Sequence, residues 1–205
     1  MPSGTAFFCS CGPLTRLAGG THDTCRARDP VGDVAGASAV LADPRWQEGA
    51  VALFRKARAV GVPTILDADM ADADVFERLL PLSDHAVFSE PALAAFLGSA
   101  SDGALQQITR YRCPVAAVTR GRAGVSWYED GKLNRRDAYA IDAIDTTGAG
   151  DVFHGAYAFA IGGALGVADA MSFASAAAAI KCTRASGRSG IPTFDDCLAF
   201  MRTHQ

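Results

Sequence analysis

From residue 37 onward, short apolar runs alternate with longer stretches whose apolar residues recur three and four positions apart. This alternation constrains the fold more than any other feature of the chain. It switches repeatedly between the two-residue period of a strand and the 3.6-residue period of a helix. Residues 38–42 (SAVLA) are the first run, closed by Asp43-Pro44. Trp46, Ala50, Leu53, Phe54, Ala57 and Val60 then recur at helical spacing, with Arg55, Lys56 and Arg58 off that face and Gly61 placed to end the helix. Strands are expected at 63–66, 86–88 and 115–119, with helices at 75–80, 92–97 and 105–111 between them. Such βαβα order implies an α/β fold, a mostly parallel sheet with helices on its faces.

Asp130-Gly131 stands between two strand-like runs, 124–128 and 132–139, and signals a hairpin that adds an antiparallel edge. A strand at 141–144 and an apolar helix at 152–161 are expected next, after which the chain reads as helical nearly to its end. Thr193-Phe-Asp-Asp196 has the form of a capping box, with Asp in place of the usual Glu. Residues 1–36 contrast with all of this. They mix Gly, Pro, Arg, Cys and Thr without a repeating apolar face, and Gly19-Gly20 and Asp29-Pro30 punctuate them as loop. No secondary structure is assigned to them, and the patterned domain is placed at 37–205.

A chain of 205 residues, 49% hydrophobic, can bury one sizeable core. Its 19 basic and 22 acidic residues give a formal net charge of −3, and no basic stripe is interleaved with aromatics, which argues against nucleic acid as a partner. No apolar run has membrane-spanning length and the first residues lack a signal-peptide layout, so no membrane is expected and the cytoplasm is the expected compartment. The six cysteines are scattered, and buried or incidental thiols are expected rather than a disulfide framework.

The richest chemistry lies in Asp145-Thr146-Thr147-Gly148-Ala149-Gly150-Asp151. In open α/β sheets ligands collect at the carboxyl ends of strands, and this run falls between an expected strand and an expected helix. Glycines flanking one alanine let the backbone turn tightly and approach a ligand closely. The free N–H groups and dipole of a helix start favour an anion, so Gly148, Ala149 and Gly150 are candidates for an anion hole at a transferring phosphoryl group. Asp151, in the first turn, is placed to take a proton from an attacking hydroxyl. A plain Gly-rich turn with a helix-terminal acid is the alternative, but two acids bracketing so long a run argue against coincidence.

The run Asp-Thr-Thr-Gly-Ala-Gly-Asp-Val-Phe closely resembles the C-terminal signature of the ribokinase (pfkB) family of carbohydrate kinases, and the resemblance extends over about residues 37–205. It implies a three-layer ribokinase-like sheet, ATP and Mg²⁺ as cofactors, and transfer of the γ-phosphoryl group to a sugar hydroxyl with Asp151 as base. Residues 118–124 resemble the family's strand-end segment Thr-x-Gly-x-x-Gly, which makes Thr119, Gly121 and Gly124 nucleotide-binding candidates. The Ala-rich helix that contains Ser175 and runs through Lys181-Cys-Thr-Arg184, followed by 187–193, resembles the segment that closes over the adenine. Asp145 and Thr147 match positions that help hold a monovalent cation, K⁺, in potassium-activated members. A turn acid accepting local N–H bonds is an equal alternative for Asp145. Residues 181–193 also look like a branch that includes sulfofructose kinases. The oligomeric state is left open, with a homodimer as one option.

Two departures qualify the resemblance. Where family members carry Asn-x-x-Glu to support Mg²⁺, this chain has Ser89-Glu90-Pro91-Ala92, and no metal ligand is assigned; Asp67 and Asp69 are conceivable helpers. The family's leading strands, lid and sugar-gripping Gly-Gly motif have no counterpart in residues 1–36, and Gly19-Gly20 is not given that role. The expected reading is therefore a truncated kinase lacking its N-terminal strands and lid. The alternative is a non-catalytic nucleotide-binding fragment or interaction protein derived from such a kinase.

Overall fold

The computed structural model describes residues 5–9, 31, 34–185 and 187–204. The described residues form a seven-stranded sheet whose spatial order follows the sequence: β1 (Thr5–Cys9), β2 (Ala37–Ala42), β3 (Thr64–Ala68), β4 (His85–Ser89), β5 (Val115–Thr119), β6 (Val125–Glu129) and β7 (Lys132–Arg136). β1 to β5 run parallel, while β6 and β7 are antiparallel additions at one edge. The β6–β7 turn places both Asp130 (φ 51°) and Gly131 (φ 72°) in the left-handed region, the geometry that suits a two-residue hairpin.

Helices α1 (Gln47–Ala59), α2 (Ala73–Leu79), α3 (Glu90–Leu97) and α4 (Asp102–Ile108) connect the parallel strands. Because each strand is laid beside the last in one direction, right-handed crossovers put all of them on one face. Helices α5 (Ala149–Gly162), α6 (Val167–Cys182) and α7 (Phe194–Thr203) follow the sheet in sequence and cover the other face. The strands divide their side chains accordingly. Val40, Leu66, Phe88 and Val118 pack with Leu53, Phe54 and Phe76 on the first face. Leu41, Ile65, Val87 and Ala117 pack with Phe153, Tyr157 and Met171 on the second. Burial on both faces is why these strands read as nearly unbroken apolar runs.

Helix α5 runs antiparallel to the strands. A Cβ on Gly162 would lie 3.2 Å from that of Ser38 at the start of β2, while His154, near the other end, reaches the Val87 carbonyl of β4. The N-terminus of α5 is thereby delivered to the carboxyl edge of the sheet.

Two differences from the sequence expectations matter. β1 is an addition: Thr5–Cys9 pairs in parallel with β2, although no element was assigned within residues 1–36. Five residues are too few to display a period, and the pairing satisfies the open edge of a parallel strand. Gly19-Gly20 lies outside the described residues. The expected strand at 141–144 is corrected: among the described residues the segment pairs with no strand, and Ile144 is 68% exposed. The N–H groups of Ile144 and Asp145 both donate instead to the Cys182 carbonyl at the end of α6, at 2.7 and 3.1 Å. Among the described residues, Cys113, Cys182 and Cys197 are buried free thiols, and no helix is long and apolar enough to cross a membrane.

Candidate active site

Helix α5 begins at Ala149, three residues earlier than its apolar run suggests, so the Gly-Ala-Gly segment is the cap and first turn of the helix rather than a loop before it. Gly148 is the N-cap and sits in the left-handed region (φ 73°), which a glycine adopts without steric cost. The Ala149 N–H donates to the Thr146 carbonyl at 3.1 Å, and the Val152 N–H closes the first helical turn on Gly148. Gly150 and Asp151 therefore present the backbone N–H groups with no internal acceptor among the described residues, at the positive end of the helix. Ala149 is not among these free donors.

Gly150 is informative in another way. Its φ is not left-handed, and a Cβ built there would meet nothing within 4 Å. The fold itself does not demand glycine at this position; an approaching ligand would.

The nucleotide candidates converge. Thr119 at the end of β5, Gly121 and Gly124 in the turn that follows, Ser175 on α6, and Ala149 and Gly150 at the start of α5 all line one cleft of about 810 Å³. Glu90, at the start of α3, lines it too. Gly124 is structurally required: at φ 83° and ψ −142°, a Cβ would come 2.0 Å from the Arg136 carbonyl oxygen. The turn is closed by the Arg120 N–H donating to the Gly124 carbonyl at 2.8 Å. Ser89 caps α3 by accepting the Ala92 N–H at 3.3 Å, which leaves Glu90 in the first helical turn.

Asp151 is exposed and lies on the opposite flank of the same helical turn. It lines a smaller hollow of about 390 Å³ between α5, α6 and the start of α7, floored by Phe159, Phe173 and Phe194. Asp151 thus stands on the ridge between a cleft holding the nucleotide candidates and a separate apolar hollow.

The sequence reading missed the side chain that anchors this turn. His154 is 4% exposed, and its Nδ1 lies 2.8 Å from the Gly150 carbonyl oxygen. Its Nε2 lies 3.0 Å from the Val87 carbonyl oxygen and 3.3 Å from Asp67 Oδ1. Both ring nitrogens face oxygens, so the ring ties the first turn of α5 to β3 and β4. Burial pushes the Asp67 carboxyl up to about 6, while the His154 ring draws it back and Asp69, Asp151 and Asp43 add to the rise. Arg45 also escaped the reading. It bridges Asp43 at 3.0 Å and Asp69 at 3.2 Å, and Asp43 foremost holds its guanidinium more firmly protonated. Asp67 and Asp69 are thus both paired rather than free, and among the described residues no group of three His, Cys, Asp or Glu side chains is disposed to hold a metal ion. The only sign of His154 in the sequence is a lone imidazole on an otherwise apolar helical face, three residues after Asp151.

Asp145 and Thr147 come together, but around a turn. Asp145 Oδ1 accepts the Thr147 N–H at 2.9 Å, and Oδ2 lies 3.3 Å from Lys181 Nζ. The Thr147 hydrogen bonds, and then the lysine, hold the Asp145 carboxyl below its ordinary value.

The chain matches the family described as pfkB family carbohydrate kinase over residues 32–194. A ribokinase of Haemophilus influenzae is 37% identical over 84 residues, covering 41% of this chain and 28% of that protein. Among solved structures, a ribokinase-like protein of Agrobacterium tumefaciens superposes with a TM-score of 0.79 and 39% identity, over 83% of this chain and 57% of that one. A ribokinase of Arabidopsis thaliana, solved with ribose and ATP, has the same fold, with a TM-score of 0.74, 24% identity, and 82% and 57% of the two chains covered. The chain therefore spans well under two thirds of each of these proteins.

Proposed function

The chain belongs to the pfkB family of carbohydrate kinases, and from that premise we propose that it transfers the γ-phosphoryl group of ATP to a hydroxyl of a small sugar. The observation that carries the reading is the convergence of the end of β5, the first turn of α5 and Ser175 on one cleft, beside helix-terminal N–H groups that lack acceptors among the described residues. In this reading the adenine lies toward Ser175 on α6, and the ribose and phosphates lie along Thr119, Gly121 and Gly124. The developing charge on the transferred group meets the N–H groups of Gly150 and Asp151, where the α5 dipole and two fixed donors stabilise it. Gly148 supplies the backbone turn that aims them, and Ala149 lines the wall of the cleft. The Asp151 carboxylate accepts the proton of the attacking hydroxyl. His154 holds the turn in place by bridging the Gly150 carbonyl to β4.

Mg²⁺ fits this site as an ion carried on the phosphates of the nucleotide, since such ions keep several waters and need only one or two carboxylates. Glu90 in the cleft is the acid available to its hydration shell. The cytoplasm, where ATP is abundant, is the compartment that suits this chemistry. Pentoses and keto-hexoses head the list of acceptors, with a sulfonated keto-sugar included because of the tail at 181–193.

The test is an ADP-release assay of the 205-residue chain against that sugar panel, paired with calorimetric measurement of ADP binding. Turnover is expected, and Asp151→Asn should reduce it by about 100-fold or more while ADP affinity stays within a few-fold. Unchanged turnover in Asp151→Asn overturns the base assignment. A second reading, nucleotide binding without turnover, rests on the limited span over which the chain matches the ribose- and ATP-bound ribokinase. ADP binding with no sugar phosphorylated would select it.

A further inference from the structure

Lys181 is 2% exposed, yet it carries an ammonium group. Burying such a charge costs several kcal/mol unless it is paired and hydrogen-bonded. Here the partner is the Asp145 carboxylate, 3.3 Å from Nζ. The surroundings are built around this pair. Lys181 lies in the last turn of α6, where the negative end of the helix dipole favours a cation. The carbonyl of the next residue, Cys182, accepts the N–H groups of both Ile144 and Asp145, so the backbone carrying the carboxylate is clamped to the helix that carries the ammonium. The short helical turn Gly187–Gly190 closes over the lysine stem, and a Cβ on Gly190 would come 3.2 Å from Lys181 Cδ.

This is the place where a monovalent cation would be expected if Asp145 and Thr147 were ligands. The residues do not fit that ion. One Asp145 oxygen is occupied by the Thr147 N–H and the other faces an ammonium, which would repel a second cation. We infer that Lys181 is a built-in monovalent cation: its ammonium supplies the positive charge that orders residues 145–147 ahead of the Gly148 cap, and the chain needs no K⁺. The inference rests on the nucleotide site proposed above, because residues 145–147 lead directly into the first turn of α5. Lys181 acts through Asp145 and is a positioning residue.

The experiment measures thermal melting and Mg·ADP affinity of the 205-residue chain in potassium chloride and in choline chloride at equal ionic strength. The wild-type protein should show ADP affinities within about two-fold of each other, and equal melting temperatures, between zero and about 100 mM K⁺. Lys181→Ala, which opens a space beside Asp145, should lose about ten-fold in ADP affinity in choline and regain most of it, with several degrees of melting temperature, in K⁺ but not in Na⁺. A wild-type protein whose affinity or melting temperature rises several-fold or by several degrees with K⁺ would overturn the inference. So would a Lys181→Ala protein that responds identically to choline and K⁺, since a merely structural ion pair predicts that result. Absence of ADP binding in every salt would count against the nucleotide site instead, and the melting comparison would still decide the role of the lysine. Should Lys181→Ala not fold, the wild-type K⁺ titration and Lys181→Ser, which opens the same space beside Asp145 and should melt several degrees higher in K⁺ than in choline, carry the same decision.

Discussion

Two half-buried groups packed against α5 titrate in opposite senses, and the pH dependence of stability between about pH 4 and pH 6.5 is set by the balance between them. Asp67 is pushed from an ordinary 3.8 up to about 6, chiefly by burial. His85 is lowered from 6.5 to about 4, again chiefly by burial, and its Nδ1 lies 2.8 Å from the Tyr157 hydroxyl. Below about pH 4, Asp67 keeps its proton whether the chain is folded or not. As pH rises toward 6 the unfolded carboxyl ionises first, the folded state holds more protons, and stability falls. For His85 the sign reverses. Its stabilising contribution is complete above 6.5 and is lost as pH falls toward 4, because the unfolded ring takes up a proton that the folded ring refuses. At about 1.4 kcal/mol per pH unit between folded and unfolded values, each effect has a ceiling of about 3 kcal/mol. It is a ceiling because 16% of the Asp67 side chain still meets water.

The two slopes nearly cancel in the wild-type protein, so its stability is expected to be level across this window. Asp67→Asn removes one slope and exposes the other: the variant should lose stability on acidification, by up to about 3 kcal/mol. His85→Asn should instead lose stability as pH rises. Urea unfolding at several pH values measures both, and the differences between variants cancel carboxylates common to all, such as Asp145 and Asp196, which hydrogen bonds hold low. An Asp67→Asn profile parallel to that of the wild type would refute the assignment, and with it the view that Asp67 is held in a dehydrated pocket against His154.

Gly150→Ala meets open space and an ordinary φ, so its melting temperature should match or slightly exceed that of the wild type while ADP affinity falls about ten-fold or more, as calorimetry would show. Unaltered affinity would remove the backbone at Gly150 from the phosphate site. Gly124→Ala faces the opposite situation, with a Cβ 2.0 Å from the Arg136 carbonyl oxygen, and should cost about 2–4 kcal/mol in denaturant unfolding. Thr193→Ala breaks the capping box that Thr193 and Asp196 form at the start of α7 and should cost about 1 kcal/mol by the same measurement, a loss that Thr193→Ser should largely avoid.

How far the fold could be read from the sequence follows from where each signal resides. Strands β2 to β6 and helices α1 to α4 were legible because burial on a sheet face or a helix stripe writes its period directly into the chain, and Thr193 with Asp196 was legible because a cap is a local bond. The segment at 141–144 was misread because an apolar run becomes a strand only where an unpaired edge awaits it. Its N–H groups found the Cys182 carbonyl instead. β1 was missed for the converse reason: an open edge can recruit a run too short to announce itself. The same division runs through the site. Asp151, Gly148 and Gly150 stand together in one heptapeptide, whereas their supports come from afar. His154 acquires meaning only from Val87 and Asp67 on two other strands, and Lys181 only from a carboxylate 36 residues away. In the sequence Lys181 reads as the charged residue that ends an apolar helix, the usual solvated position. An exposure of only 2% reverses that reading, because a lysine placed there for solubility would not be enclosed against the carboxylate otherwise available to a metal ion. The residues proposed to perform chemistry thus stand out by their neighbours in the chain, while those proposed to position them stand out only by what the fold brings against them.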